Sequence, residues 1–250
     1  MTPLLSLIGL GVVLLTGAGI LMFTSRIRNG KASTIRLIPE VSRLRRALGL
    51  SVEAGTRVHI GLGNSPLTNA SSTTSRSGVN TLLGLGLASS TSDHPPLATG
   101  GDGSVSLLSK DVLRSVSTET NTRDLYDPDH GVLTGVTPFS YAMGTKDLMR
   151  DPGLTTNLLV GTFGAEAGYL STGNDSPDKF TLAVSDSLVG QSVFFAAGSN
   201  VLIGEELFAL PAYLAAKPSF LASLKVQDIL RLLLCLGLVT AAVLKVLGII

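Results

Sequence analysis

The stretch from Asn157 to Ser187, NLLVGTFGAEAGYLSTGNDSPDKFTLAVSDS, decides the fold class of this 250-residue chain. It begins with a short apolar run at Asn157–Gly161, continues through a candidate helix at Ala165–Ser171, and reaches a second apolar run at Phe180–Ser185. Two short apolar strands joined by a helix are typical of parallel neighbours, because parallel strands need a crossover connection. The stretch therefore predicts one unit of a parallel α/β sheet.

The same alternation continues on both sides of that stretch. The other candidate strands lie at Arg57–Gly63, Pro96–Thr99, Val132–Val136 and Asn200–Ile203. The other candidate helices lie at Val79–Ser90, Val105–Glu119, Ser140–Met149, Ser187–Ala197 and Glu205–Ala215. A mainly parallel sheet is covered by helices on both faces. We therefore expect a doubly wound, Rossmann-like α/β domain over residues 55–217.

One segment of this region, Leu67–Gly78 (LTNASSTTSRSG), lacks the apolar pattern. It is rich in Ser and Thr, which predicts a loop, and such a long loop between a first strand and a first helix is unusual. It could contact a ligand, contact another subunit, or form a mobile insertion.

Apolar segments stand at both ends of the chain. Residues 3–24 contain about twenty uncharged residues, and residues 229–250 read ILRLLLCLGLVTAAVLKVLGII. Each is long enough to cross a hydrocarbon core of about 30 Å. A cleaved signal peptide is the alternative for the first segment, but no Lys or Arg precedes it and the positive charge follows it. We expect two transmembrane helices, with a linker at 218–228 before the second.

Basic residues cluster directly after the first apolar segment, in the juxtamembrane region 25–50. They are Arg26, Arg28, Lys31, Arg36, Arg43, Arg45 and Arg46. The positive-inside rule then predicts that the α/β domain is cytoplasmic and that both termini lie on the outer side of the membrane. We expect five basic residues at the membrane interfaces, where long side chains reach the headgroups: Arg26, Arg28, Lys31, Arg231 and Lys245.

The segment Pro39–Leu50 (PEVSRLRRALGL) predicts an amphipathic helix. Val41, Leu44 and Leu48 share one stripe, and most of the arginines lie on the other side. Two positions fit this pattern equally well. The helix could lie on the membrane surface with its arginines toward anionic headgroups, or it could pack on the α/β domain with its arginines in solvent.

Polar and glycine-rich sequence follows the candidate strands at their carboxyl ends, where open α/β sheets bind ligands. The candidate ligand-binding residues are Gly61, Gly63, Asn64, Asp102, Ser104, Glu166 and Asp186. Turn chemistry is the competing explanation, since glycine favours tight turns and Asp102 and Asp186 can cap helices. If the carboxylates Asp102, Glu166 and Asp186 converged, they would form an acidic or metal-binding site.

Several motifs that would specify an activity are absent from the sequence. It contains no GxxxxGK[ST] motif and no GxSxG motif, and Gly61-x-Gly63 lacks the third glycine of a dinucleotide fingerprint. The three histidines lack metal-ligand spacing, and Cys235 is the single cysteine. The net charge is +1, and no aromatic residues are interleaved with the basic ones. The sequence therefore lacks the features that indicate nucleic-acid binding. We therefore expect no catalytic residues, no metal, no cofactor and no nucleic-acid partner.

Several phrases in the chain resemble an uncharacterised family of two-span bacterial membrane proteins, familiar chiefly from Chloroflexota. The phrases are IRLIPEV, RVHIGLG, TPFSYAMG, NLLVGTFGAEA, NVLIGEELFALPAYL and LASLKVQD. The similarity runs over nearly the whole chain from Ile35 and is most specific in the last two phrases. The resemblance implies a Rossmann-like cytoplasmic domain on a bacterial inner membrane. It supplies no activity and no functional residue.

Three hypotheses about function follow. The first is a non-enzymatic assembly or scaffold protein, anchored in the lipid bilayer, that forms homo-oligomers or joins a larger membrane complex. The alternative is a membrane-tethered sensor that binds a small anionic ligand in the crevice at the strand ends. The third is a hydrolase or metal enzyme that uses Asp102, Glu166 or Asp186, and it requires these carboxylates to lie close together.

Overall fold

The computed structural model describes residues 3–29, 36–68, 72–173, 178–215 and 217–247. Contacts between Cα atoms divide the chain into two units. Arg36–Ala215 forms one unit, which is the α/β domain, and the two terminal segments form the other.

Strands and helices alternate through the α/β domain. The strands are β1 (Arg57–Gly61), β2 (Leu97–Gly100), β3 (Gly131–Leu133), β4 (Leu154–Gly161), β5 (Phe180–Ser185) and β6 (Asn200–Ile203). The α-helices are α1 (Pro3–Arg28), α2 (Pro39–Glu53), α3 (Ser72–Ala88), α4 (Gly103–Glu119), α5 (Pro138–Met149), α6 (Ala167–Ser171), α7 (Leu188–Ala196), α8 (Glu206–Ala215) and α9 (Pro218–Val246).

The six strands form one sheet in the order β3-β2-β1-β4-β5-β6. Every neighbouring pair in it is parallel. Strands β2 and β3 lie on one side of the β1–β4 pair, and strands β5 and β6 lie on the other. This is the doubly wound arrangement. The predicted α/β fold class is therefore confirmed.

Buried side chains form two clusters on the domain. The larger cluster joins α2, α3, α4 and α8 to the sheet, and the smaller joins α5, α6 and α7 to β4 and β5. Ile60 and Leu158 point into the first cluster, whereas Leu159 points into the second, as the alternation of side chains along a strand requires. Burying a side chain of this size contributes about 1.5–3 kcal/mol relative to leaving it exposed.

Helix α2 packs on the α/β domain. Its apolar stripe of Val41, Leu44 and Leu48 belongs to the larger buried cluster, and Pro39 occupies its first turn. Of the two positions that the sequence left open for this helix, the structure therefore shows the one in which the apolar stripe faces the domain.

Two arginines of α2 also bond to the domain. Arg43 Nη1 donates to Asn200 Oδ1 at 3.1 Å, and Arg45 Nη2 donates to the backbone carbonyl of Tyr213. Both arginine side chains stay exposed along part of their length, so these bonds fix their direction without removing the charges from water.

The loop predicted at Leu67–Gly78 is wrong over residues 72–78, which form the first two turns of α3. Residues 69–71 of that segment lie outside the described residues. The Ser and Thr side chains do not break the helix because tertiary partners accept their hydroxyl protons. Ser75 Oγ donates to the carbonyl of Ser65 at 2.6 Å, and Ser77 Oγ donates to the carbonyl of Leu207 at 2.9 Å.

The terminal helices α1 and α9 are each long and apolar enough to cross a membrane. Helix α9 begins at Pro218, so the segment 218–228, which the sequence suggested as a linker, is helical. Proline suits the first turn of a helix, and Ala222 and Val226 are buried, which explains why the helix starts so early. Gly19 of α1 faces Val226, since a Cβ at Gly19 would lie 3.2 Å from Cγ2 of Val226.

The expected interface residues fall at different points of these helices. Arg26 and Arg28 lie in the last turn of α1, and Lys245 lies in the last turn of α9. Arg231 lies within α9, with its Nη1 atom 3.7 Å from Oδ1 of Asp228. Lys31 lies outside the described residues.

Candidate functional site at the carboxyl edge of the sheet

The carboxyl ends of β1 and β4 meet at the centre of the sheet. The chain leaves β1 toward β2 and leaves β4 toward β5, so the connections diverge at this pair. Ligands of doubly wound proteins bind at such a divergence. The geometry of the loops that follow β1 and β4 therefore decides what this edge can hold.

The two central loops are in backbone contact. A Cβ at Gly161 would lie 2.8 Å from the carbonyl oxygen of Leu62 and 3.1 Å from Cα of Gly63. Gly63 has a φ of +69°, a conformation that glycine adopts without strain. Gly61 has no room either, since its Cβ would lie 2.8 Å from the hydroxyl of Tyr141. These glycines fit the close packing of the loops themselves.

Asn64 joins three of the loops. Its Nδ2 atom donates to the carbonyl of Val136 at 3.3 Å, and its side chain lies where a Cβ at Gly101 would stand. The backbone N–H of Gly101 donates to the carbonyl of Gly63 at 2.9 Å. The loops after β1, β2 and β3 are thus held together by hydrogen bonds that use Asn64 and the neighbouring backbone.

Asp102 and Ser104 form the start of α4. The carboxylate of Asp102 accepts a hydrogen bond from the Ser104 backbone N–H at 2.9 Å and another from the Ser104 hydroxyl. Ser104 Oγ also accepts from the backbone N–H of Leu67 at 3.4 Å. Asp102 therefore caps α4, as turn chemistry predicts.

Asp186 does not cap α7, contrary to the turn-based expectation. The cap is Ser187, whose side chain accepts from the backbone N–H of Gly190. The Asp186 carboxylate instead accepts from the hydroxyl of Thr74 at 2.5 Å and from the hydroxyl of Thr162 at 3.1 Å. Thr74 lies in the first turn of α3, so a negative charge stands beside the positive end of that helix dipole.

Glu166 lies between β4 and α6 and is 7% exposed. Its Oε1 atom accepts from the backbone N–H of Gly164 at 2.7 Å. Asp102, Glu166 and Asp186 each bond to different groups. Among the residues that the structure describes, no three His, Cys, Asp or Glu side chains lie close enough to hold a metal ion.

A buried polar layer lies on the α5 side of the sheet. His59 Nδ1 donates to Asn157 Oδ1 at 3.2 Å, and His59 Nε2 accepts from the Thr99 hydroxyl at 2.9 Å. Thr99 in turn accepts from the Thr145 hydroxyl of α5 at 3.5 Å. Burial lowers the pKa of His59 to about 4, and the bond to Asn157 only partly opposes this, so the ring is neutral at pH 7.

The hydroxyl of Tyr141 connects α5 to the candidate site. It accepts a hydrogen bond from the backbone N–H of Gly63 at 3.2 Å. Burial raises the pKa of Tyr141, so the phenol stays protonated at neutral pH. The ring packs against Phe163 with a centroid distance of 6.5 Å. One buried side chain thus supports the loop after β1.

No sequence motif predicted this layer. The available signal was the placement of polar side chains at alternate positions of otherwise apolar strands. His59 stands between Val58 and Ile60, and Asn157 precedes Leu158. Side chains at alternate positions share one face of a sheet, so this pattern predicts a polar patch under one helical layer.

A separate open cleft lies at the amino edge of the sheet. Arg57, His94, Asp127, His130 and Asp151 contribute to its lining. His130 Nε2 lies 4.0 Å from Asp127 Oδ2. Burial and the positive charge of Arg57 lower the pKa of His130, whereas Asp127 opposes that change. Three aspartates and one arginine carry the charges of this lining: Asp127, Asp129, Asp151 and Arg57.

The strand order and the two helical layers define a doubly wound, Rossmann-like α/β protein with a candidate membrane span at each end. The chain belongs to the family DUF6754, a domain of unknown function, whose family model matches residues 5–250. No curated protein and no solved structure matches the chain significantly. The expectation of an uncharacterised family is therefore confirmed, and the family supplies no activity.

Proposed function

We propose that the protein is a non-enzymatic, membrane-anchored assembly protein whose α/β domain joins it to further copies or to a larger membrane complex. The observation that carries this proposal is the exposure of large apolar side chains on the helices that cover the sheet. Leu107 of α4 is 71% exposed, Leu188 and Phe195 of α7 are 80% and 71% exposed, and Phe139 of α5 is 53% exposed. Leu107 lies in the helical layer of α4 and the other three lie in the layer of α5 and α7, and exposed apolar patches on such helices mark interaction sites.

The anchoring part of the proposal rests on α1 and α9. Both have the length and composition of spans, and Arg26 and Arg28 lie in the last turn of α1. The positive-inside rule then favours a cytoplasmic domain with both termini outside. The resemblance of the sequence to two-span bacterial proteins supports a bacterial plasma membrane. Confinement to one membrane plane raises the effective concentration of copies.

The alternative of an anionic ligand at the carboxyl edge has less support. Three of its candidate residues are the carboxylates Asp102, Glu166 and Asp186, which repel an anion. The contact between Gly63 and Gly161 also fills the space between the central loops. A thermal-shift screen of the full chain with nucleotides and phosphorylated metabolites tests the alternative directly, and we expect no shift.

Native mass spectrometry of the full chain, released from its own membrane in mild detergent or nanodiscs, tests the proposal. We expect complexes that contain more than one copy of the chain or a stoichiometric second protein. A lone monomer at concentrations that match its native membrane density would overturn the proposal.

A further inference from the structure

Helix α2 has a basic side that points away from the α/β core. Arg43, Arg46 and Leu50 are spaced by three and four residues, so they share one side of the helix. All three are exposed, whereas the apolar stripe that packs on the domain lies on the other side. Arg36 and Leu37, which precede the helix, are exposed as well. These five residues form the arginine face.

The charge of this face contrasts with that of the rest of the domain. Between Arg26 and Arg46 the chain has seven basic residues and one acidic residue, Glu40. Residues 47–215 have eight Lys or Arg and sixteen Asp or Glu, among them Glu53 at the end of α2. An anionic surface therefore attracts the arginine face and repels most of the remaining domain.

The chain enters and leaves the domain beside this face. Arg36 is the first residue of the domain and Ala215 is the last. The hydroxyl of Tyr213 donates to the backbone carbonyl of Arg36 at 2.6 Å, and Arg45 of α2 donates to the backbone carbonyl of Tyr213. Both connections to the candidate spans thus start next to α2.

Those connections are short. Arg36 lies eight positions after Arg28, which is in the last turn of α1, and Pro218 at the start of α9 lies three positions after Ala215. Eight residues reach at most about 28 Å when fully extended. With α1 and α9 as membrane spans, the start of α2 therefore stays close to the bilayer surface.

We propose that the arginine face binds the anionic headgroups of the lipid bilayer and holds the α/β domain with α2 toward the membrane. The inference rests on the anchoring part of the proposed function and is independent of assembly. The apolar stripe of α2 stays on the domain, and only the opposite side meets the lipid. Guanidinium groups form paired hydrogen bonds with phosphate oxygens. Leu37 and Leu50, which are 85% and 59% exposed, supply apolar contacts in the headgroup region.

The bonds within the domain leave this face available. Arg43 uses Nη1 on Asn200 but stays exposed. Arg46 has no hydrogen-bond or ion-pair partner among the residues that the structure describes. An acidic protein would attract the same arginines. The short connections favour lipid, because they keep the face beside a bilayer whose cytoplasmic leaflet is anionic.

A fluorescent label tests the orientation of the full chain in liposomes. In a C235S background, G49C places the label one turn from Arg46, where nothing lies within 4 Å of an added Cβ. S192C is the matched control, because it places the label on α7, in the helical layer on the opposite face of the sheet.

A nitroxide attached to lipid headgroups quenches labels that lie near them. In liposomes with about 30% phosphatidylglycerol, quenching at residue 49 should exceed quenching at residue 192 by about twofold or more. Pure phosphatidylcholine, or about 0.5 M salt, should remove most of that difference. Quenching at residue 49 that is the same in all three conditions would overturn the inference.

Arginine substitutions test the contribution of charge. R46Q should lower the ratio of membrane-bound to released domain by about fivefold, whereas R46K keeps the charge and should retain the quenching. R114Q removes the same charge from an exposed site of α4 and should leave the quenching unchanged. Equal losses in R46Q and R114Q would overturn the inference.

The outcome for assembly is separate. Monomers in native mass spectrometry, with quenching at residue 49 that still depends on lipid charge, would overturn the assembly function and leave the lipid contact intact. Oligomers whose label does not respond to lipid charge would do the reverse. Release of a bound acidic protein by R46Q, without a change in quenching, would assign the arginine face to that protein and overturn the lipid contact.

Discussion

Asn157 lies directly opposite Thr181 in the β4–β5 pair, and each side chain carries a buried polar atom without a hydrogen-bond partner among the described residues. The atoms are Nδ2 of Asn157 and Oγ1 of Thr181. The residues are 0% and 3% exposed. An unsatisfied buried polar group costs about 1–3 kcal/mol. The buried polar layer therefore contains two unsatisfied groups that lower the stability of the fold, beside hydrogen bonds that are satisfied.

The Thr181→Val substitution should stabilise the protein by about 1 kcal/mol. It replaces an unpartnered hydroxyl with a methyl group of similar size. The matched control is Thr99→Val, which removes the hydroxyl that donates to His59 and should destabilise the protein by about 1–3 kcal/mol. Thermal unfolding of the full chain in detergent, followed by circular dichroism, measures both. Destabilisation by Thr181→Val equal to that of Thr99→Val would show that Thr181 has a partner.

Acidification should destabilise the domain through His59. The folded-state pKa is about 4 and the ordinary value is 6.5, so the unfolded chain binds the proton first as the pH falls. The contribution of His59 is fully present above pH 6.5 and decreases by about 3 kcal/mol as the pH falls to 4. Below pH 4 it changes no further.

The variant His59→Gln isolates this contribution. It has no titrating ring, so the difference in unfolding free energy between wild type and variant should vary between pH 6.5 and pH 4 and stay flat above that range. Chemical denaturation at a series of pH values measures the difference. Parallel curves for the two proteins would show that His59 does not stay neutral in the fold.

The Gly161→Ala substitution should destabilise the domain by about 1–3 kcal/mol or more, a typical cost of inserting a methyl group into a tight contact. Its Cβ would lie 2.8 Å from the backbone carbonyl oxygen of Leu62, which cannot move away as a flexible side chain can. Gly49→Ala is the matched control. Gly49 is in α2 with nothing within 4 Å of the added Cβ, so alanine should stabilise that helix by up to about 1 kcal/mol. Unfolding in urea should therefore give shifts of opposite sign.

Removal of the α4 cap should lower stability by about 1 kcal/mol. Asp102→Ala deletes the acceptor for the backbone N–H of Ser104. Asp111→Ala removes the same charge from an exposed site in the middle of α4 and should change the unfolding free energy by less than about 0.5 kcal/mol. Similar losses in the two variants would assign the effect to charge and not to capping.

Local pattern predicted most of the fold. The apolar runs at Phe180–Ser185 and Asn200–Ile203 coincide with β5 and β6. Strand β5 is buried along most of its length, and buried parallel strands are apolar throughout. The start of α3 was missed for a tertiary reason. The hydroxyls of Ser75 and Ser77 donate to the backbone carbonyls of Ser65 and Leu207, which lie outside the helix. Composition alone cannot reveal such partners.

The sequence predicted the local role of Asp102 but not the partners of Asp186. Asp102 capped the expected helix because capping depends on residues one or two positions away. The partners of Asp186 are Thr74 and Thr162, 112 and 24 residues away, so only the folded chain shows them. The bond between Tyr141 and Gly63 spans 78 residues and was missed for the same reason.

The hydrogen bonds of His59 also constrain how the strands align. The ring bonds to Asn157 on β4 and to Thr99 on β2, so its two hydrogen bonds fix the register of β1 relative to both neighbouring strands. Sliding β1 by one residue would turn the ring to the apolar face of the sheet and leave Asn157 and Thr99 without it. A continuous apolar strand offers several alignments of nearly equal energy. The histidine removes that degeneracy, and it gives the centre of the sheet one alignment during folding.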